Sequence, residues 1–389
     1  MNTKELDSKY IAGTYARFPI VLKEGRGSVV WDTEGKEYID MGSGIAVNAF
    51  GIADHEWINA VTAQLGKLQH SSNLYYTEPG ALLAEQLCTR TGMKKAFFGN
   101  SGAEANECAI KCARKYAADK YGADKRYKIV TLVNSFHGRT ITTLAATGQD
   151  EYHKDFQPLT PGFLYAPAND CGALKAIVES DEAIAAIMFE LVQGEGGVLP
   201  LEQDFVDCIA EICKARDILM VVDEVQTGNG RTGTLYAWQR YGITPDIMTT
   251  AKGLGGGLPI GVCLMGEKCE NTMTPGSHGS TFGGNPAICA GALNVLSRID
   301  DALLADVRAK SDYIVKELTG APGVESVAGL GLMLGIKTAK PLSDVVTACR
   351  ENGVLVLTAH GKLRLLPALN IPMELVKKAV AVIKSCCAE

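Results

Sequence analysis

Four short stretches carry residues whose types and spacing could do chemistry. The first is "VVDEVQTGNGRTG", Val221 to Gly233, in which an apolar run ends in Asp223 and Gly228, Gly230 and Gly233 form a literal G-x-G-x-x-G. The glycines outline a dinucleotide-binding turn. The aspartate offers different chemistry, because a carboxylate ending a buried strand is expensive unless paired. A cationic ring nitrogen is one partner, and a nearby Arg or Lys is another. At about 4 Å and an effective dielectric near 20 such a contact is worth roughly 4 kcal/mol, or about three pKa units, enough to keep a pyridine nitrogen protonated near neutral pH.

The second stretch is "NSGAEANECAIKCARKYA", where Ser101, Gly102 and Ala103 lead from a strand into a helix. Free N–H groups at a helix start suit an anion such as a phosphate. A plain capped turn has the same spelling. In "SFHGRT", Phe136 stands where a strand ends and could stack on a planar ring, and Arg139 is a planar fork for a carboxylate. Alone, this pair also fits a core aromatic and a solvated arginine. In "TTAKGLGGGLPIG", Lys252 ends a short strand before a glycine-dense loop that can turn sharply around it. An isolated lysine ordinarily faces solvent. Together the four stretches supply a Schiff-base lysine, a pyridinium partner, a ring stacker and a phosphate pocket, the parts a pyridoxal phosphate site requires.

The elements that must position these residues alternate. Strands are predicted at Lys95–Phe98, Tyr127–Val133, Ile184–Glu190, Ile218–Val222, Ile247–Thr249 and Ile260–Leu264, with helices at Glu104–Tyr121 and Asp204–Arg216. This rhythm predicts an α/β fold with a mostly parallel sheet covered by helices on both faces, and a crevice beyond the carboxyl ends of its strands. "GRGSVVWDTEGKEYIDM" alternates like an antiparallel ribbon turning at Glu34-Gly35, and a final helix is expected over Met373–Cys386. We therefore expect a large domain over residues 46–300 and a smaller α+β domain built from both chain ends, 1–45 and 301–389.

Composition excludes several classes. The 389 residues carry a net charge of −6 without a basic block, which argues against nucleic-acid binding. The N-terminal "MNTKELD" has no apolar signal core and no run is long enough to span a bilayer, so a cytoplasmic protein without a membrane partner is expected. The twelve cysteines include no C-x-x-C pair, and the six histidines no H-E-x-x-H; reduced thiols and no metal site are expected.

"NSGAEANE", "FHGRT", "QGEGGV", "DEVQTGNGRTG", "AKGLGGGLP", "GSHGSTFGGNP" and "LRLLPAL" occur in one order along nearly the whole chain. In this combination the sequence resembles the class III, fold-type I pyridoxal-phosphate aminotransferases. The resemblance implies that Lys252 holds the cofactor, Asp223 pairs with its ring nitrogen, and Phe136 and Val225 cover the two ring faces. It implies Gln226 near the ring hydroxyl, and Ser101, Gly102 and Ala103 at the phosphate. Thr281 would reach the phosphate from a neighbouring subunit, so a homodimer with shared sites is implied. Arg139 resembles the arginine for the donor's α-carboxylate or glutamate's side-chain carboxylate, and Arg364 the one for glutamate's α-carboxylate. Glu195 resembles the acid that masks Arg364 while an ω-amine is bound. Tyr15 and Ser280 align with substrate-facing positions.

The implied reaction moves the terminal amine of N2-acetylornithine to 2-oxoglutarate, forming glutamate. Ornithine, succinylornithine, 4-aminobutyrate or a lysine-pathway intermediate are alternative donors. The chain departs from the family pattern at Glu190-Leu191 in place of Glu-Pro, at Ala368 in place of a second proline, and at His55-Glu56 in place of His-Pro. A Rossmann oxidoreductase would start its glycines at the strand end and place an acid about 20 residues on. Here Asp223 to Thr227 intervene, and the turn is expected to be flexible and to lead away from the site, toward a subunit interface.

Overall fold

The computed structural model describes residues 1–388. Its main sheet has seven strands: β1 (Lys95–Gly99), β2 (Lys128–Leu132), β3 (Phe163–Ala166), β4 (Ile184–Phe189), β5 (Leu219–Asp223), β6 (Ile247–Ala251) and β7 (Gly261–Met265). Their spatial order is β1-β7-β6-β5-β4-β2-β3. Strands β2 to β6 run parallel. β7 is antiparallel to both its neighbours, which returns β1 to the common direction. Six carboxyl ends therefore meet at one edge, where β1 leads to Ser101, β2 to Phe136, β4 to Glu190, β5 to Asp223 and β6 to Lys252. The sheet is mostly parallel, as its βα rhythm predicts. β3 was not foreseen: "FLYA" is short, only partly buried and at the sheet edge.

β4, β5, β6 and β7 are buried at every residue, as strands covered on both faces must be. Alternate residues serve opposite cores. Met220 and Val222 face one core, while Leu219 and Val221 face the other, with the helix Gly102–Tyr121 (α1). The period of two then carries Asp223 and Thr249 onto the α1 side. α1 can lie close because Ala105, Cys108, Ala109, Cys112 and Ala113 make its buried stripe small.

Both chain ends share further sheets. Leu22–Arg26, Val29–Asp32 and Glu37–Asp40 form an antiparallel meander, and Val354–Leu355 adds to it in parallel. Its Glu34-Gly35 turn is held by Asp32 Oδ1, which accepts from the Glu34 and Lys36 N–H groups. A second sheet, Val324–Leu330, Met333–Thr338, Lys362–Leu365 and Leu357–Ala359, carries Arg364 in register with Gly335. No helix among the described residues is long and apolar enough to cross a membrane.

One expectation about the cysteines is corrected. Cys171 and Cys208 form a disulfide, with Cα atoms 6.2 Å apart across 37 residues of chain. They lie on two packed helices, Cys171–Ser180 and Gln203–Arg216, so spacing along the chain gave no sign of the pair. Ten cysteines remain thiols.

At the start of β7 the backbone passes against the loop after β1. A Cβ on Gly261 would meet the Ser101 carbonyl oxygen at 1.9 Å. Gly261→Ala should lower stability by about 3 kcal/mol through overpacking, read as a lower denaturant midpoint at unchanged slope; an unaltered midpoint would refute this account of the junction.

Candidate active site

The strand ends enclose a cavity of about 440 Å³ lined by Ser101, Gly102, Ala103, Phe136, Arg139, Asp223, Val225, Gln226 and Lys252, among others. One wall is the start of α1. Ser101 caps it, accepting from the Glu104 N–H at 3.2 Å. Helix geometry leaves the Gly102 and Ala103 N–H groups without an intrahelical acceptor, as an anion site needs. A Cβ on Gly102 would strike Val225 Cγ1 at 2.6 Å, so the glycine lets Val225 stand against the helix end.

Asp223 is 3% exposed, yet every one of its contacts is a donor. Oδ1 accepts from the Val225 N–H at 2.9 Å. Oδ2 accepts from Asn106 Nδ2 and lies 2.8 Å from His137 Nδ1. An ionised carboxylate only accepts, so Nδ1 carries the proton of that bond. Burial opposes a charge on His137, but the bond to Asp223 and its charge win and raise the imidazole pKa.

Asn106 joins four parts of the site. It projects from α1, donates to Asp223 and to the His137 carbonyl oxygen at 2.8 Å, and accepts from Thr249 Oγ1 at 2.7 Å. Its two donors and its acceptor are all used, which ties the phosphate-type helix end, the Phe136 loop, Asp223 and the strand of Lys252 together.

Lys252 follows β6 with φ of +45°, a left-handed conformation that a non-glycine residue adopts at a cost. Burial, aided by the Arg364 charge, lowers its ammonium pKa and so favours the nucleophilic neutral amine. Arg139 lies over the Tyr152 ring at 4.2 Å and over Phe136 at 5.5 Å, so the guanidinium is held by aromatic faces.

Arg364 Nη1 meets Glu195 Oε1 at 2.6 Å and Gln226 Oε1 at 3.3 Å. Burial opposes the Glu195 charge, but Arg364 and then Lys252 outweigh it and lower the carboxyl pKa. The pair is thus an ion pair next to Lys252. Glu190, buried on the cavity lining, accepts from the Phe136 N–H at 2.9 Å and the Gly194 N–H at 3.2 Å, and burial pushes its carboxyl up to about 7. These bonds hold the Glu190-Leu191 departure in place without the usual proline.

Tyr15, Ser280 and Thr281 do not line this cavity. Tyr15 is 74% exposed and Thr281 is also exposed, while Ser280 touches the rim through Asn100 Nδ2 at 3.2 Å. Four residues had been assigned no role from sequence. Asn106 and His137 lie inside quoted motifs, and polar residues beside a buried acid are a usable signal; Glu190 and Tyr152 gave none. The glycine turn is also corrected. Gly228 to Gly233 are all buried rather than flexible, and they dock on the region that carries Arg364.

The chemistry on offer is a helix start with free N–H groups, the Phe136 and Val225 side chains on the cavity lining, an anchored carboxylate and a lysine amine, a donor set that fits pyridoxal phosphate. A family model described as aminotransferase class-III matches residues 10–387. The chain belongs to the class III aminotransferases. This aminotransferase is pyridoxal-phosphate-dependent. It is 52% identical over 382 residues to a Haemophilus ducreyi protein named acetylornithine aminotransferase, covering 98% of this chain and 97% of that one. It is 44% identical to one of the same name from Aquifex aeolicus, covering 96% and 99%. Among solved structures it is similar to ornithine aminotransferase from Toxoplasma gondii, with a TM-score of 0.94 at 31% identity, covering 99% of this chain and 93% of that one. It is likewise similar to N-acetylornithine aminotransferase from Stenotrophomonas maltophilia, with a TM-score of 0.85 at 35% identity and coverage of 99% and 98%.

Next to Asp223, burial raises the Glu224 carboxyl from 4.5 to about 7. Between those values the folded aminotransferase keeps a proton that the unfolded chain has released. The stability this group contributes is therefore lost as pH rises through that window. Glu224 accepts from the Thr227 hydroxyl and from the Trp238 N–H at 2.8 Å, and an amide can satisfy both. The melting temperature of Glu224→Gln relative to wild type should rise between about pH 5 and about pH 7.5. A difference that stays flat across this range would exclude the buried, protonated acid.

Proposed function

We propose that this enzyme transfers the terminal amine of N2-acetylornithine to 2-oxoglutarate, giving N-acetylglutamate 5-semialdehyde and glutamate, a step of arginine biosynthesis. The observation that carries the reading is the Arg364–Glu195 ion pair, whose charges act on Lys252. An arginine neutralised by a carboxylate suits a substrate with a neutral acyl end. The same arginine released from that carboxylate suits a dicarboxylate. One cavity can then serve two substrates of different charge. The relatives named acetylornithine aminotransferase support the choice of amine donor.

Pyridoxal phosphate supplies an electron sink for the pair left when a proton leaves the carbon beside the amine. The chain's own residues do the rest. Ser101, Gly102 and Ala103 bind the phosphate, Phe136 and Val225 hold the ring faces, and Gln226 approaches the ring hydroxyl. Asp223 keeps a proton on the ring nitrogen, and His137 and Asn106 keep Asp223 aimed at it. Lys252 holds the cofactor covalently at rest. Its amine, favoured in the neutral form by its lowered pKa, would take the proton from the amine-bearing substrate carbon onto Nζ and pass it to the cofactor. Arg139 takes the α-carboxylate of the amine donor, and Arg364 takes that of glutamate. Tyr15 and Ser280 complete the substrate pocket.

We further propose a cytoplasmic homodimer without nucleic-acid or membrane partners, in which Thr281 of each copy serves the other's phosphate. Exposed apolar side chains support this. Leu74, Tyr75 and Tyr76 lie near Phe282 in sequence-distant loops that Asn73 ties together, donating to the Ser280 and Gly283 carbonyl oxygens. Residues 46–300 form the large domain, and 1–45 with 301–389 the small one.

Lys252→Ala should give a colourless protein with turnover reduced by at least about 10³-fold; substantial residual activity would sink the assignment of the base. Paired kinetics with 2-oxoglutarate as acceptor should favour N2-acetylornithine over ornithine by at least about tenfold in kcat/KM, since ornithine's distal cation must be desolvated. A preference for ornithine, succinylornithine or 4-aminobutyrate would replace the donor.

A further inference from the structure

The glycine-rich turn after Gln226 has no part in the site described so far, yet it contains a buried cation. Arg231 is 2% exposed, and among the described residues no carboxylate pairs with it. Its Nη1 donates to the Leu332 carbonyl oxygen at 3.0 Å and to that of Pro367 at 2.5 Å. The Leu332 N–H donates back to the Arg231 carbonyl oxygen at 2.9 Å. Gly331, at φ of +56°, lets the chains come this close, since a Cβ there would meet that oxygen at 2.4 Å. Arg308 also donates to the Gly233 carbonyl oxygen.

Pro367 belongs to the loop that follows Arg364. Each carbonyl from 366 to 369 has a donor. Ser43 Oγ takes Leu366, Arg231 takes Pro367, the Ile371 N–H takes Ala368, and Lys310 Nζ takes Leu369 at 3.1 Å. The second proline is absent from this loop, and hydrogen bonds from three distant segments hold it instead. Five residues before Arg231, Gln226 contacts the Arg364 guanidinium itself. The turn therefore grips Arg364 at its head and at the backbone beyond it. A buried, unpaired cation is a costly way to fill space, and an apolar side chain would avoid that cost. What an arginine adds is a fixed fork that reaches two carbonyls from two segments.

We infer that Arg231 is a positioning residue for the dicarboxylate half of the reaction: it locks the loop that follows Arg364 onto the turn that follows Gln226. This rests on the reading of Arg364 as the dicarboxylate clamp. A shift of about 1 Å in such a clamp costs up to 10²-fold, so its register matters more than its presence.

The test compares Arg231→Lys with Arg364→Ala, both as holoenzyme. Single-turnover rates are measured with glutamate and with N2-acetylornithine, and calorimetry gives the Kd of glutarate, an unreactive dicarboxylate. Arg231→Lys should weaken glutarate binding and the glutamate half-reaction by about tenfold and leave the N2-acetylornithine half-reaction within about twofold. Arg364→Ala should show the same selectivity with a larger loss. If Arg364→Ala is selective and Arg231→Lys slows both halves equally, or neither, the inference is overturned and the clamp reading stands. If Arg364→Ala is not selective, the clamp reading fails and the inference falls with it. Should Arg231→Lys not accumulate as folded, coloured protein, Lys310→Met loosens the same loop at Leu369. The same selective loss is expected there, and its absence would equally overturn the inference.

Discussion

A carboxylate at the end of a strand buried on both faces is the constraint around which this molecule is arranged. Unpaired, Asp223 would be too costly to ionise where it stands. It meets three donors, from Asn106, His137 and the Val225 N–H, that come from three different segments. Each donor brings another part of the site with it. Asn106 brings the start of α1, His137 brings the loop of Phe136, and Val225 brings a further residue of the cavity lining. Satisfying one buried acid thus draws a helix start, an aromatic loop and the end of β5 around one cavity.

A second charge problem is solved differently. Arg364 and Glu195 are paired, and the pair lies beside Lys252. Under the proposed reaction, Asp223 keeps its partners throughout, whereas Arg364 exchanges Glu195 for a substrate carboxylate. The surroundings match this difference. Asp223 is tied by side chains and backbone of the large sheet. Arg364 sits on a small separate sheet whose following loop is pinned carbonyl by carbonyl. A clamp that exchanges partners needs a fixed backbone, because its selectivity resides in where the guanidinium is held.

Much of this was legible in the order of residues. The runs over β1, β2 and β4 to β7 are mostly apolar, and in the main sheet only the short edge strand β3 escaped notice. Asp223, Lys252, Phe136 and Ser101 to Ala103 stood out because each ends a strand or begins a helix. Glu190 and Tyr152 did not, since a Glu after a strand and a Tyr in a short helix are ordinary until the fold places them against Phe136 and Arg139. The G-x-G-x-x-G was a true match with a misleading reading. Its glycines serve close packing, Gly228 against Tyr236, Gly230 against Leu369 and Gly233 against Arg308, with no helix start at which to hold a phosphate.

By itself, the sequence determined the fold class, the cofactor-type chemistry and the inventory of reactive groups, because hydrophobic periodicity and strand-end residues are local properties. It could not determine which groups pair. The disulfide between Cys171 and Cys208, the bond from Asn106 to Asp223 and the grip of Arg231 on Pro367 join residues 37 to 136 positions apart along the chain. Pairing at such distances is decided by packing. Two alternating cores orient each strand end, and buried polar groups accept whichever partner that orientation brings within reach.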